Sequence, residues 1–180
     1  MKQRKLTPEE IVRTKKSVEE IRELPRTPIV TVLDNIRSLY NVGAMFRTSD
    51  GAMIEKMYLC GMTGIPPRRE IHKTSLGACD IVPWEYRSSA ADIVRELKEK
   101  GYHIVALELA DPPVHYAQAS FSFPLALVVG HEINGVSDDV IKQADVSISL
   151  PMLGRANSLN VATAYGIATY HLLNCYQNNV

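Results

Sequence analysis

Cysteine is scarce in this sequence, and the few present exclude two kinds of small scaffold. There are three cysteines, Cys60, Cys79 and Cys175. An odd number of widely separated cysteines, none in a C-x-x-C pair, argues against a disulfide framework and against a zinc site. We therefore expect buried, reduced thiols in a cytosolic protein, and no bound metal.

Long apolar runs are also missing. The longest ones, such as residues 125–129, are far too short to span a bilayer. The first ten residues, MKQRKLTPEE, have no apolar segment behind their charges, which a secretion signal requires. The sequence therefore predicts a soluble, cytoplasmic protein with no membrane partner.

The chain has no excess of basic residues. Its 20 lysines and arginines balance 20 acidic residues, which counts against a nucleic-acid partner because phosphate binders are usually basic. A neutral total can still contain a basic face, and two clusters of cations are present. They are Lys2, Arg4, Lys5, Arg13, Lys15, Lys16, Arg22 and Arg26 near the N-terminus, and Arg68, Arg69, His72 and Lys73 further on. Each cluster alone is equally typical of a solvated helix or loop.

Two nucleotide-binding fingerprints are absent. No G-x-G-x-x-G motif follows any predicted strand, and no G-K-[ST] phosphate loop occurs. Enzymes that use a nicotinamide cofactor or a nucleoside triphosphate are therefore disfavoured.

Apolar runs and helical patterns alternate along the 180 residues. The predicted strands cover residues 29–33, 56–60, 82–86, 103–109, 125–129 and 146–150. The predicted helices cover residues 7–24, 42–52, 89–100, a short stretch after Ser137, and 159–173, with a loop at 62–73. This alternation predicts an α/β fold, a parallel sheet with helices on both faces, in which the continuously apolar strand at 125–129 is central. We expect a helical extension at 1–27 and a single globular unit at 28–180.

Polar residues follow three of these strands, at the edge where open α/β sheets bind ligands. Taken alone, each has an ordinary structural interpretation: Asn41 and Ser158 as helix caps, and Arg47 as a surface arginine. Gly130 would let a ligand approach the backbone. His131 and Glu132 are not the start of a zinc-protease motif, because the position of the second histidine is a glycine.

Together, however, the three segments resemble the signature motifs of the SpoU (TrmH-like) branch of the SPOUT methyltransferases. Asn41, Gly43 and Arg47 resemble its N-x-G-x-x-x-R motif. Residues 128–136 resemble V-x-G-x-E-x-x-G-V, and residues 151–160 resemble P-M-x-G-x-x-x-S-L-N. A single motif would be weak, whereas three in this order are specific.

The resemblance covers residues 31–175 and carries an expectation about the fold. It implies a deep trefoil knot in the C-terminal part of the chain, as in the SPOUT or alpha-beta knot fold. General topology would exclude a knot, because knots are very rare in proteins.

The resemblance also implies a function: transfer of a methyl group from S-adenosyl-L-methionine (AdoMet) to a ribose 2′-hydroxyl of tRNA or rRNA, with no role for DNA. The family is dimeric with its active site at the subunit interface, which implies a homodimer through the knot and the C-terminal helix. The implied catalytic residues are Asn41, Arg47, Glu132, Ser158 and Asn160. The implied AdoMet-binding residues are Val129, Gly130, Leu150, Met152, Ser158 and Leu159. We expect RNA contacts from Arg68, Arg69, Lys73 and Arg155, and from the basic N-terminal helix.

Arg47 is the residue that the resemblance assigns to the reacting hydroxyl. Because arginine does not lose its proton in proteins, we predict that it stabilises the developing alkoxide and clamps a phosphate, and does not act as a base. Two other interpretations stay open: a knotted AdoMet- or RNA-binding protein without catalysis, and another α/β enzyme with a nucleotide cofactor. The full set of motif residues disfavours the first, and the missing glycine fingerprint disfavours the second.

Overall fold

The computed structural model describes residues 4–14 and 16–179. The seven strands of its sheet are β1 (Thr27–Asp34), β2 (Ile54–Cys60), β3 (Trp84–Arg87), β4 (His103–Leu107), β5 (Val114–His115), β6 (Leu125–Gly130) and β7 (Val146–Ser149). The helices are α1 (Pro8–Arg13), α2 (Val18–Glu23), α3 (Leu39–Gly51), α4 (Arg69–Ser75), α5 (Ala90–Glu99), α6 (Asp138–Ile141) and α7 (Val161–Asn179). A short 3-10 turn covers Ala78–Asp80.

The strands form a single parallel sheet in the order β3-β2-β1-β6-β4-β7-β5. Strand β6 is central, and all six of its residues are buried. An uninterrupted apolar run is typical of a strand covered on both faces, so the prediction for residues 125–129 is confirmed. In the register between β1 and β6, Asp34 lies beside Gly130. The carboxyl ends of these two neighbouring strands are therefore level with each other.

Helices cover both faces of the sheet, as predicted. In β1, Ile29 and Leu33 belong to the same buried cluster as Phe46 of α3 and Leu172 of α7. The intervening Val30 and Val32 belong to a second cluster, which includes Leu97 of α5 and Val140 of α6. Because successive residues of a strand point to opposite faces, the alternation assigns α3 and α7 to one face and α5 and α6 to the other.

A buried tyrosine fixes α7 on the sheet. Tyr165 is fully buried, and its hydroxyl shares hydrogen bonds of 2.8 Å with Thr31 Oγ1 and 2.7 Å with Ser49 Oγ. One side chain therefore links α7 to β1 and to α3. Burial raises the pKa of the Tyr165 phenol, so the group stays protonated.

The N-terminal segment forms two short helices, and the prediction of one helix over residues 7–24 is wrong. Ser17 Oγ accepts a hydrogen bond from the Glu20 backbone N–H, and the Glu20 carboxylate accepts one from the Ser17 N–H. This capping box starts a second helix and requires extended backbone at Ser17, where a continuous helix cannot run. Neither α1 nor α2 contains a buried residue.

The predicted loop at residues 62–73 is wrong in its second half, where α4 lies. Ile71 of α4 is buried against the core, and the Thr74 hydroxyl donates to the Tyr40 carbonyl at 3.1 Å. Gly43 of α3 makes this contact possible, because a Cβ there would collide with the Ile71 carbonyl and Thr74 Oγ1. A helix of seven residues is too short to show a clear apolar period.

All three cysteines are free. Cys60 and Cys79 are buried, whereas Cys175 is partly exposed. Burial, with a smaller effect of Asp34, raises the pKa of the Cys60 thiol to about 12. Among the described helices, none has the length and apolar character needed to cross a membrane.

Candidate active site

A cavity of about 360 Å³ lies at the carboxyl ends of β4, β6 and β7. Its walls come from the ends of these strands, from residues 131–135 and from residues 150–161. Five of the residues predicted to bind the cofactor line it: Gly130, Leu150, Met152, Ser158 and Leu159. The sixth, Val129, is 1% exposed in the core, and the described lining does not include it. A contact between Val129 and the cofactor therefore stays a prediction.

The segment after β6 folds back on itself in a tight turn. The backbone N–H of His131 donates to the Gly135 carbonyl at 3.0 Å, and the Gly135 N–H donates back at 2.8 Å. A Cβ on Gly130 would collide with the Gly135 backbone, so this turn itself requires the glycine at 130. His131 Nδ1 accepts a 3.0 Å hydrogen bond from the Ile133 N–H, which leaves the ring proton on Nε2. His131 thus stabilises the turn.

The turn presents Glu132 to the start of α3. Its carboxylate accepts hydrogen bonds of 2.9 Å from the backbone N–H groups of Arg37 and Ser38 and from the Asn41 side-chain amide. Burial alone would raise the pKa of Glu132, but these hydrogen bonds outweigh it and lower the pKa below its ordinary value. Glu132 is therefore an ionised group. It holds the N-x-G-x-x-x-R segment, which we call motif one, against the segment of residues 128–136, which we call motif two.

Asn41 also contacts the third motif. Its Oδ1 accepts a 3.1 Å hydrogen bond from the Asn160 side-chain amide, while Asn160 Oδ1 accepts from the Ala162 N–H at 3.0 Å. Asn160 thus acts as the cap of α7, and Ser38, whose hydroxyl accepts from the Asn41 N–H, caps α3. The cap interpretations of Asn41 and Ser158 are therefore wrong. Glu132, Asn41 and Asn160 form a continuous chain of side chains that joins the three motifs.

Arg47 lies apart from this group. It is exposed on α3 and lines a second, open pocket of about 530 Å³ with Lys73, Leu76 and Tyr170. Its guanidinium makes no hydrogen bond or ion pair with any residue in the described part of the chain. Within one chain, therefore, the structure does not bring Arg47 to the cavity.

The predicted RNA-binding cations are at the surface. Arg68, Arg69, Lys73 and Arg155 are all exposed, and their side chains are unpaired within residues 4–14 and 16–179. Lys73 shares the open pocket with Arg47, which gives that pocket two cations.

Part of the N-terminal basic cluster is already engaged. Arg4 pairs with Glu10 at 2.6 Å, and Arg26 donates hydrogen bonds of 3.1 Å to the carbonyls of Ile54 and Ile81. Arg26 therefore anchors the start of β1. Lys2 and Lys15 lie outside the described residues.

Glu108 is a charged residue of the cavity that was not among the predicted site residues. It directly follows β4 and lines the cavity, and its carboxylate accepts hydrogen bonds from the Leu109 N–H at 2.9 Å and the Val136 N–H at 2.8 Å. The predicted strand at 103–109 placed Glu108 inside a strand. Its position at a carboxyl end, which identified the other segments, would have identified this one too.

Three potential metal ligands also lie together, at the end of α4. The ligand atoms of His72, Cys79 and Asp80 are all within 4.8 Å of one another. The Ser75 hydroxyl is 3.3 Å from the Cys79 sulfur, and burial raises the pKa of the Cys79 thiol. We assign no metal here, and the absence of a metal stays a prediction.

A parallel sheet with its cavity at the carboxyl ends of the strands places this chain among the ligand-binding α/β domains. Within that class, it belongs to the SpoU rRNA methylase family, whose model matches residues 28–170. The resemblance seen in the motifs is thereby confirmed.

Named relatives agree with this assignment. The chain is 31% identical over 156 residues to a tRNA (guanosine(18)-2'-O)-methyltransferase of Aquifex aeolicus, covering 86% of this chain and 73% of the relative. It is 31% identical over 147 residues to the 23S rRNA (guanosine-2'-O-)-methyltransferase RlmB of Nitrosomonas europaea, covering 82% of this chain. The chain spans little more than half the length of several relatives, 56% in this last case.

Solved structures have the same fold. The TrmH/SpoU tRNA modifying enzyme of A. aeolicus superposes with a TM-score of 0.81 at 28% identity, covering 90% of this chain and 83% of that one. An AdoMet-bound rRNA methyltransferase from Sinorhizobium meliloti gives a TM-score of 0.77 at 27% identity, covering 89% and 60%.

Proposed function

We propose that this protein is an RNA methyltransferase that uses AdoMet to methylate a ribose 2′-hydroxyl of tRNA or rRNA. One observation carries the proposal: Glu132, Asn41 and Asn160 join the three motif segments beside a single cavity. The names of the relatives from A. aeolicus and N. europaea support the choice of RNA and of the 2′-oxygen.

The cavity suits a donor of this kind. Its volume of about 360 Å³ is within the range of about 300–1,000 Å³ typical of small-molecule sites. Apolar side chains such as Leu107, Ile148 and Leu150 can cover an adenine, while Ser158 offers a hydroxyl. The lining contains two carboxylates, Glu108 and Glu132, and no lysine or arginine among the described residues, which suits a cation. When bound, AdoMet supplies an electrophilic methyl group on a positively charged sulfur.

Arg47 is the residue that we propose to act on the substrate. Its guanidinium can stabilise the negative charge that develops on the ribose oxygen and can bind the neighbouring phosphate. Asn41 and Glu132 act differently, since their hydrogen bonds to each other and to the backbone hold the segments in place. We propose that Ser158 contacts the donor and that Asn160 positions the start of α7.

A homodimer completes the proposed site. Because Arg47 lies outside the cavity of its own chain, a second copy has to bring Arg47 of the partner subunit to it. Leu76 and Tyr170, exposed by 68% and 51%, lie beside Arg47 in the open pocket and, with Ile167 of α7, provide an apolar surface for that contact. We propose that the knotted C-terminal region of the family is present here and forms this interface with α7.

The RNA surface follows from the exposed cations. We propose that Lys73, Arg68, Arg69 and Arg155 bind phosphates around the Arg47 pocket, so that affinity for RNA falls as the salt concentration rises. We propose that α1 and α2, which make up the helical part of residues 1–27 and bury no residue, form an extension that adds cations to this surface. A cytoplasmic location, with no DNA or membrane partner, belongs to the same proposal.

Binding and transfer can be tested in one series of experiments. Calorimetry with AdoMet and with NADH measures which cofactor binds. AdoMet with a radioactive methyl group is then incubated with unmodified tRNA and rRNA, and incorporation of the label into the RNA is measured. We expect AdoMet to bind and NADH not to bind. We also expect the label to appear as a 2′-O-methyl nucleotide in one RNA. Binding without transfer to any RNA would favour the non-catalytic alternative, and binding of NADH alone would overturn the proposal.

A further inference from the structure

Glu108 is a charged group in the cavity for which the three motifs give no role. Both of its oxygens are held by backbone N–H groups, those of Leu109 and Val136, and no cation pairs with it in the part of the chain that the structure describes. Glu132, by comparison, also receives the Asn41 amide. Glu108 is therefore a fixed negative charge with lone pairs left over, at the wall of a site that has no lysine or arginine in its described lining.

The turn after β6 makes room for this carboxylate. Gly135 has a φ of +69°, and a Cβ at this position would collide with Glu108 Oε2. Gly135 is the second glycine of motif two, and its neighbour Val136 donates one of the two hydrogen bonds to Glu108. The motif thus places Glu108 as well as Glu132, and the two carboxylates enter the cavity from different strands.

We infer that Glu108 makes the cavity select the methyl donor, whose sulfur is cationic, over the product, whose sulfur is neutral. This inference rests on the proposed function. When the methyl carbon bonds to the ribose oxygen, its bond to sulfur breaks and that electron pair stays on sulfur. The hydroxyl proton passes to water, and the sulfur of S-adenosylhomocysteine is a neutral thioether. Donor and product otherwise have nearly the same shape, so contacts with adenine or ribose distinguish them poorly. A fixed charge does distinguish them.

The size of the effect follows from Coulomb's law. For two unit charges about 4 Å apart, Coulomb's law with the dielectric constant of bulk water gives about a fivefold change in affinity, and the lower dielectric constant of a protein site gives a larger one. We expect Glu108 to supply a preference of this size. Its consequence is that the product leaves more readily than the donor, which limits product inhibition.

The test compares three ligands by calorimetry: AdoMet, S-adenosylhomocysteine, and sinefungin, in which an ammonium group replaces the methylsulfonium. Glu108→Gln should weaken AdoMet and sinefungin about fivefold or more and S-adenosylhomocysteine by less than about twofold. Glu108→Asp keeps the charge and should keep the selectivity. Glu99→Gln removes an exposed carboxylate at the end of α5 and should change none of the three affinities.

Each outcome has a distinct meaning. Equal weakening of all three ligands by Glu108→Gln would give Glu108 a purely structural role and overturn the inference, as would no change at all. If Glu108→Gln shows no cooperative thermal unfolding and is therefore not folded, Glu108→Ala provides a second uncharged side chain. The ratio of the AdoMet affinity to the S-adenosylhomocysteine affinity again decides the outcome. A wild-type protein that binds none of the ligands would contradict the proposed function itself.

Discussion

The side-chain amide of Asn160 donates a 3.1 Å hydrogen bond to Asn41 Oδ1, although 119 positions separate the two residues. Asn41 in turn donates to Glu132, so one side-chain amide in the first turn of α3 connects the cap of α7 with the turn after the central strand. The three motifs are therefore joined by direct side-chain contacts.

The first prediction concerns this connection. Asn41→Ala and Asn160→Ala should each lower the free energy of unfolding by about 1 kcal/mol, and the double variant should lose less than the sum, with a coupling of about 0.5–1.5 kcal/mol. Urea denaturation of the four proteins measures the cycle. Asn134→Ala at the exposed tip of the turn is the matched control and should be neutral. Additive losses would show that the two amides act independently.

Arg47 should matter for turnover and leave donor binding unchanged. Because it lies outside the cavity of its own chain, Arg47→Gln should reduce the rate of methyl transfer by about 100-fold or more while the AdoMet affinity of the isolated protein stays the same. Single-turnover assays and calorimetry measure the two quantities. Arg47→Lys should retain most of the rate if charge is what matters. A lysine variant as slow as the glutamine variant would contradict the charge role.

Substitution by alanine should destabilise the protein at one motif glycine and be nearly neutral at another. At Gly130 a Cβ would meet the Gly135 backbone, whereas at Gly154 it would meet nothing within 4 Å. Gly130→Ala should therefore cost about 1–3 kcal/mol of stability, and Gly154→Ala less than about 0.5 kcal/mol. Thermal and urea unfolding of the two variants test this contrast, which disappears if the turn can shift to accept a methyl group.

The stability of the protein should depend on pH through Glu132. Its pKa is lower in the folded state than the ordinary value of 4.5, so folding gains free energy from its ionisation above that value. This gain is lost as the pH falls through the lower, folded-state pKa. The difference in unfolding free energy between wild type and Glu132→Gln should therefore be constant above about pH 6 and shrink below pH 4.5. A difference that is the same at pH 3 and pH 7 would contradict the assignment.

Removal of one buried hydroxyl should weaken the attachment of α7. Tyr165→Phe leaves Thr31 without its hydrogen-bond partner in the core, which should cost about 1–3 kcal/mol. Tyr170→Phe changes the same group at a position that is 51% exposed and should have little effect on stability. Denaturation curves of the pair give the comparison.

The elements that the sequence predicted well are those in which burial leaves a clear pattern. Strand β6 is apolar at every position because helices cover both of its faces. In contrast, α4 was missed because its seven residues bury little more than Ile71. The break at Ser17 was missed because one long helix also fits the spacing of apolar residues in that segment. Whether a new helix starts at a capping residue is decided by local hydrogen bonds. The spacing of apolar residues in the sequence does not reveal these bonds.

The site residues, too, could be placed only in part from the sequence. Segments that follow parallel strands of one sheet lie at the same edge, so Asn41, Glu132 and Asn160 could be grouped from the sequence. Arg47 could not be placed from the sequence. It follows Asn41 by six residues, and in a helix this separates the two side chains by a rotation of about 240° and a rise of about 9 Å. It therefore lies on a different face of α3 from Asn41, whatever its role.

The register that sets Asp34 beside Gly130 also restricts how the length of the chain can change. Slipping β1 by a single residue along β6 would move Glu132 by about 3.3 Å relative to the amides that bind it, and would reverse the faces of the strand. Insertions and deletions should therefore be tolerated in connections such as residues 110–113, which precede β5 and are mostly exposed. Within β1 and β6 even one extra residue would separate the motifs.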